Sequence, residues 1–95
     1  MVDDLGTFGR EPAEPTGLQA EVYSATTAEL FWDRPLVLGL VYEVTRDGKL
    51  VNETDNVSYF DESLSPGLTF RYEVVAINLD AKRASAATVS VSTDF

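Results

Sequence analysis

With 95 residues, 44% of them hydrophobic and 11% aromatic, the chain has the apolar mass for one packed core and too little length for a second. It contains neither cysteine nor histidine, which removes disulfides, thiolate metal sites and the commonest general base, and with them most enzyme chemistries. Sixteen acids against seven bases give a net charge of -9, a surface that repels phosphate backbones, so nucleic acid is not an expected partner.

Residues 1–16 read as a linker, because Gly6, Gly9, Pro12 and Pro15 interrupt any period and only Leu5 and Phe8 offer sizeable apolar side chains. No apolar stretch approaches the roughly 20 residues that cross a bilayer, so no membrane insertion is expected. The opening Met1-Val2-Asp3-Asp4 lacks the regions of a signal peptide; for an exported parent, the signal is expected upstream.

From Gly17 onward, over residues 17–95, the period becomes two. Leu18, Ala20 and Val22 share one face of a first strand, and Ala28, Leu30 and Trp32 one face of a second spanning 26–33, which leaves Phe31 pointing outward. A third strand over 41–46 turns Tyr42 and Val44 inward and ends at Asp47-Gly48, a hairpin signal because glycine supplies the positive φ of the tight turn. Residues 49–51 return from it, 52–56 read as polar loop and 57–60 as a short strand. Ser65-Pro66-Gly67 marks a turn before a long strand over 68–77, and 87–93 closes the sheet with Val89 and Val91 inward. About seven antiparallel strands with no helical period predict an all-β, immunoglobulin-like sandwich of two sheets.

In this order and spacing the residues resemble the fibronectin type III family over roughly residues 12–94, closest to versions in exported bacterial proteins. The family's proline-rich entry falls on Pro12 and Pro15, its second-strand Leu and Trp on Leu30 and Trp32, and its third-strand Tyr and Val on Tyr42 and Val44. The hairpin Arg46-Asp47-Gly48, the pair Tyr59 and Asp61, the Leu64-x-Pro66-Gly67 turn and the run Phe70, Tyr72, Val74, Ala76 complete the match. Two departures stand out. Phe70 occupies the place of the tyrosine whose hydroxyl usually forms a tyrosine corner, and the loop after Trp32, usually polar, reads Asp33-Arg34-Pro35-Leu36-Val37-Leu38-Gly39-Leu40-Val41.

Trp32 shares the inward phase of Leu30, Tyr42, Tyr72 and Val74 and is read as core rather than as a sugar platform. The acids Asp3-Asp4, Asp61-Glu62, Glu43 and Glu73 lack the dense oxygen spacing of a calcium loop and are read as solvated surface, so no metal and no cofactor is expected. A glycosidase carboxylate pair needs a cleft that a sandwich of this size does not offer. Asn52-Glu53-Thr54 and Asn56-Val57-Ser58 match the N-glycosylation pattern and are read as ordinary loop asparagines.

The best candidates for protein contact are Leu36, Val37, Leu38 and Leu79, which antiparallel order gathers at the pole of the N-terminal linker. Two readings stay open there, an inward plug of the open end of the sandwich or a contact with a neighbouring domain. The resemblance implies a noncatalytic spacer and interaction module of a larger exported or cell-surface, bacterial protein. Its expected partners are neighbouring domains of that protein, another protein or a polysaccharide, and the isolated chain is expected to be a monomer. A carbohydrate-binding accessory module is the alternative; it needs a row of exposed aromatics, and Phe31 and Tyr23 are the outward rings the pattern offers.

Overall fold

A computed structural model describes residues 12–93. Among these, seven strands follow one another: β1 (Gln19–Ser24), β2 (Thr27–Phe31), β3 (Val41–Arg46), β4 (Lys49–Thr54), β5 (Ser58–Asp61), β6 (Thr69–Ile77) and β7 (Ala87–Ser92). They form two antiparallel sheets, one in the order β1-β2-β5 and one in the order β4-β3-β6-β7. The chain therefore crosses between sheets after β2, β4 and β5, which is the Greek-key wiring of a sandwich.

The period of two expected from the sequence is the period of burial. Ala28 and Leu30 in β2, Tyr42 and Val44 in β3, and Phe70, Tyr72, Val74 and Ala76 in β6 are buried, while their strand neighbours are less so. Trp32 lies one residue beyond β2 and is held by its amide donating to the Val57 carbonyl at 3.0 Å; its ring meets Tyr42 edge-on at 5.3 Å. The hairpin between β3 and β4 has φ of 51° at Asp47 and 84° at Gly48, the doubly positive turn that suits the right-handed twist of the flanking strands. Asp47 also extends the pairing along β6, its amide donating to the Arg71 carbonyl at 2.7 Å and its carboxylate accepting from the Arg71 amide at 2.9 Å.

One strand runs longer than expected. Residues 52–54 are not loop: past a bulge at Val51 the register shifts, and Asn52, Glu53 and Thr54 pair with Val44, Glu43 and Tyr42 and extend β4. Asn52 is accordingly a half-buried strand residue, and Asn56 alone of the two sequon asparagines sits exposed in the following turn.

Asp61 is a larger correction. Read from its charge as a surface acid, it is 1% exposed and stands at the centre of a polar clasp between the sheets. The Tyr72 hydroxyl donates to its Oδ2 at 2.6 Å, Arg46 Nη1 donates to the same oxygen at 2.6 Å, and the Ser63 amide and hydroxyl donate to Oδ1 at 2.9 and 3.0 Å. Arg46 also lies over the Phe70 ring, 5.6 Å from its centroid. Thus β5 of one sheet is bonded to β3 and β6 of the other. Phe70, buried at 8% exposure, has no hydroxyl for a tyrosine corner, and the tyrosine two residues on bonds a carboxylate instead.

Burial by itself would raise the Asp61 pKa. The hydrogen bonds from Tyr72, the Ser63 amide, Arg46 and the Ser63 hydroxyl outweigh it and hold the carboxyl below its ordinary value. Burial and the Asp61 carboxylate push the Tyr72 phenol far above its ordinary range.

Two outcomes are expected. Trp32→Ala costs about 3 to 5 kcal/mol, the range for truncating a buried large aromatic, measured by denaturant unfolding; a loss under about 1 kcal/mol would show that the strand phase is wrong. Asp61→Asn costs roughly 3 kcal/mol at pH 7, since it leaves a half-buried cation and a buried phenol without their anion. Because the folded pKa lies below the unfolded value of about 3.9, that stabilisation is complete above the unfolded value and disappears as pH falls through the folded one. The gap between Asp61→Asn and the unaltered protein therefore closes on acidification, and a gap that stays constant down to about pH 2 would contradict the clasp.

Candidate functional site

The entry segment and the long loop between β2 and β3 are tied together at one pole. The Asp33 amide donates to the Thr16 carbonyl at 2.9 Å, and the Thr16 hydroxyl donates to the Asp33 carboxylate at 3.1 Å. Beyond Asp33 the loop turns its apolar side chains to solvent: Leu36 is 99% exposed, Val37 63% and Leu38 89%. Leu79, from the loop between β6 and β7, is 88% exposed. It rests on Gly39, whose φ is +81° and where an added Cβ would stand 3.1 Å from the leucine side chain. The two loops therefore meet, and Val37 lines a groove with the entry segment.

The plug reading of Leu36 and Leu38 is overturned. Both stand in solvent, and it is Leu40 that is half-buried and packed on the core. An open groove of about 280 Å³ runs between the entry segment and the loop, lined by Pro12, Pro15, Pro35, Val37, Leu40 and Tyr42 among others. Burial pushes up the pKa of the Tyr42 phenol on its floor. Of the linker expected over residues 1–16, Leu5 and Phe8 lie outside the described residues; Pro12–Thr16 is irregular chain along this groove.

The loop carrying Leu79 is a tight turn built on Asn78. Its side-chain oxygen accepts from the amides of Asp80 and Lys82, both at 3.0 Å, and Ala81 takes a φ of 62°. Arg83 then pairs with Glu43 of β3 at 2.5 Å, and the guanidinium lowers the Glu43 pKa. Glu73 pairs with Arg71 at 3.2 Å. These acids are thus partnered surface groups. Among the described residues no group of acids, histidines or cysteines is arranged to hold a metal ion, and no helix is long and apolar enough to cross a membrane.

The outer face of the three-stranded sheet holds a ring that sequence reasoning passed over. Phe60, on the outward phase of β5, is 45% exposed and lies 5.9 Å from the ring of Tyr23, itself 51% exposed. Phe31 is on the same face but half-buried. The signal was available in the alternation: once Tyr59 is taken as inward, Phe60 must face out.

No family model matches the chain. An alpha-amylase of Niallia circulans is 31% identical over 86 residues, covering 86% of this chain and 6% of the amylase. The chain thus spans a small fraction of that relative's length. Among solved structures, one titled as a mutant of FN3tt is 26% identical with a TM-score of 0.78, covering 87% of this chain and 97% of the other. The sixth fibronectin type III domain of human fibronectin type III domain containing protein 3 is similar at 23% identity and a TM-score of 0.71, over 90% and 89% of the two chains. A family 28 exopolygalacturonase of Yersinia enterocolitica shares the fold at 17% identity and a TM-score of 0.74, over 85% of this chain and 20% of the enzyme. Strand order, the sequence of inward residues and these likenesses together show the fibronectin type III fold.

Proposed function

We propose that the chain is a noncatalytic spacer and interaction module of a larger exported or cell-surface, bacterial protein, whose apolar pole packs against the domain on its N-terminal side. The observation that carries this reading is the full exposure of Leu36 and Leu38 beside the entry segment. A contiguous apolar patch in water is unfavourable, and covering it contributes roughly 25 cal/mol per Å² of apolar area. A domain attached through Pro12–Thr16 is held next to that patch at high effective concentration.

The exit of the chain suits a spacer. At the far pole the Gly67 amide donates to the Thr93 carbonyl at 2.7 Å and the Thr93 hydroxyl donates to the Ser65 carbonyl at 2.6 Å, so the described chain enters at one end and leaves at the other. The small part of the amylase that this chain spans supports a module within a longer polypeptide, and with it an extracellular setting.

The double substitution Leu36→Asp with Leu38→Asp tests the site. In the 95-residue chain it leaves stability within about 1 kcal/mol, because neither side chain is buried, and it abolishes binding of a hydrophobic dye. Carried into the longer protein, it loosens the contact with the preceding domain, read as an increase in maximum dimension by solution scattering. Loss of most of the stability would make these leucines structural, and an unchanged scattering curve would remove the proposed interdomain contact.

A further inference from the structure

We propose that the outer face of the β1-β2-β5 sheet carries a second, weak binding site for a neutral polysaccharide, with Tyr23 and Phe60 as its stacking rings. This deepens the reading of the chain as an interaction module by naming a ligand class, and it uses a surface separate from the apolar pole.

The two rings are placed by separate devices. In the pairing of β1 with β2, Val22 faces Ala28 and Ser24 faces Thr27, so Tyr23 is the extra residue of a bulge. Tyr23 keeps the outward phase of Gln19 and Glu21. Tyr23 is then fixed by its hydroxyl, which donates to Glu29 Oε1 at 2.8 Å and whose pKa is raised by that bond. From the other side of β2, Phe60 pairs in register with Glu29 and brings its ring to 5.9 Å from Tyr23 at an interplanar angle of 35°. Two large rings half in water, one of them locked by a hydrogen bond, make a preorganised apolar surface that nothing in the described chain covers.

The groups around the rings choose the ligand. Glu21 and Glu29 stand directly opposite each other in the register, a like-charge cross-strand pair that costs stability. Their oxygens border the rings as hydrogen-bond acceptors. A pyranose offers an apolar C–H face for a ring and hydroxyl donors at its edge for carboxylates, which matches both features at once. Net charge of -9 and the two carboxylates disfavour a polyuronide, so the ligand is neutral. Two rings tilted by 35° are fewer than the walls of the cage that surrounds an organic cation, and their half-exposed surfaces suit a sugar better.

Native gel electrophoresis of the 95-residue chain, in gels containing soluble starch, hydroxyethylcellulose or polygalacturonate, tests this. At least one neutral polymer should retard the protein, polygalacturonate should not, and the retardation should persist in added salt, since stacking on a neutral sugar is not screened. Tyr23→Ala with Phe60→Ala should raise the apparent Kd at least tenfold while circular dichroism stays unchanged. Leu36→Asp with Leu38→Asp should leave retardation intact, so a failure at the pole and a failure here are separable. As a check that needs no variant, adding the retarding polymer to the unaltered protein should broaden the Tyr23 and Phe60 ring resonances before those of Trp32. The proposal is overturned by absence of retardation with both neutral polymers, by equal retardation of the ring variant, or by retardation that added salt removes.

Discussion

The sandwich depends on one carboxylate. Asp61 is buried between the sheets and accepts from Tyr72, Arg46 and Ser63 through both of its oxygens. A buried charge without partners costs several kcal/mol, so once Asp61 is inward the chain is constrained to bring β3 and β6 of the opposite sheet to it. Apolar packing around Leu30, Trp32, Tyr42 and Val74 is nondirectional and tolerates small slips, whereas the clasp has a fixed geometry and specifies which strand faces which. In a chain with no disulfide to staple it, this directional link complements a small core.

Because core and clasp hold the sheets together, the loops at the entry pole are released from structural duty. Leu40 packs on the core, and Leu36, Val37, Leu38 and Leu79 are left in solvent. The same division is seen on the three-stranded sheet, where Tyr59 and Asp61 serve the interior and Phe60 between them is offered outward. Contact surfaces and scaffold thus alternate residue by residue along β5, a direct consequence of the strand period.

Most of this fold was legible in the sequence because inward residues recur at a period of two and the turns are marked by Asp47-Gly48 and Ser65-Pro66-Gly67. The extra length of β4 was not, since residues 52–54 are polar and only their register against β3 makes them strand. Asp61 was misread because charge was weighed and phase was not. Arg46 shares the inward phase of Tyr42 and Val44, and two inward residues of opposite charge on different strands are a sign of a buried pair. The candidate pole was legible as a place, from chain order alone. Which of its leucines turns in, Leu40 rather than Leu36 or Leu38, depended on packing against the core, which no local pattern encodes.

A double-mutant cycle between Asp61→Asn and Tyr72→Phe, read as unfolding free energy at neutral pH, tests the role given to the clasp most directly. Hydrogen bonds to charged groups contribute about 1.5 to 3 kcal/mol, so the two losses should fall short of additivity by at least about 1 kcal/mol. Losses that add within about 0.5 kcal/mol would show that the two groups act independently and that the Tyr72 bond does not hold the sheets together.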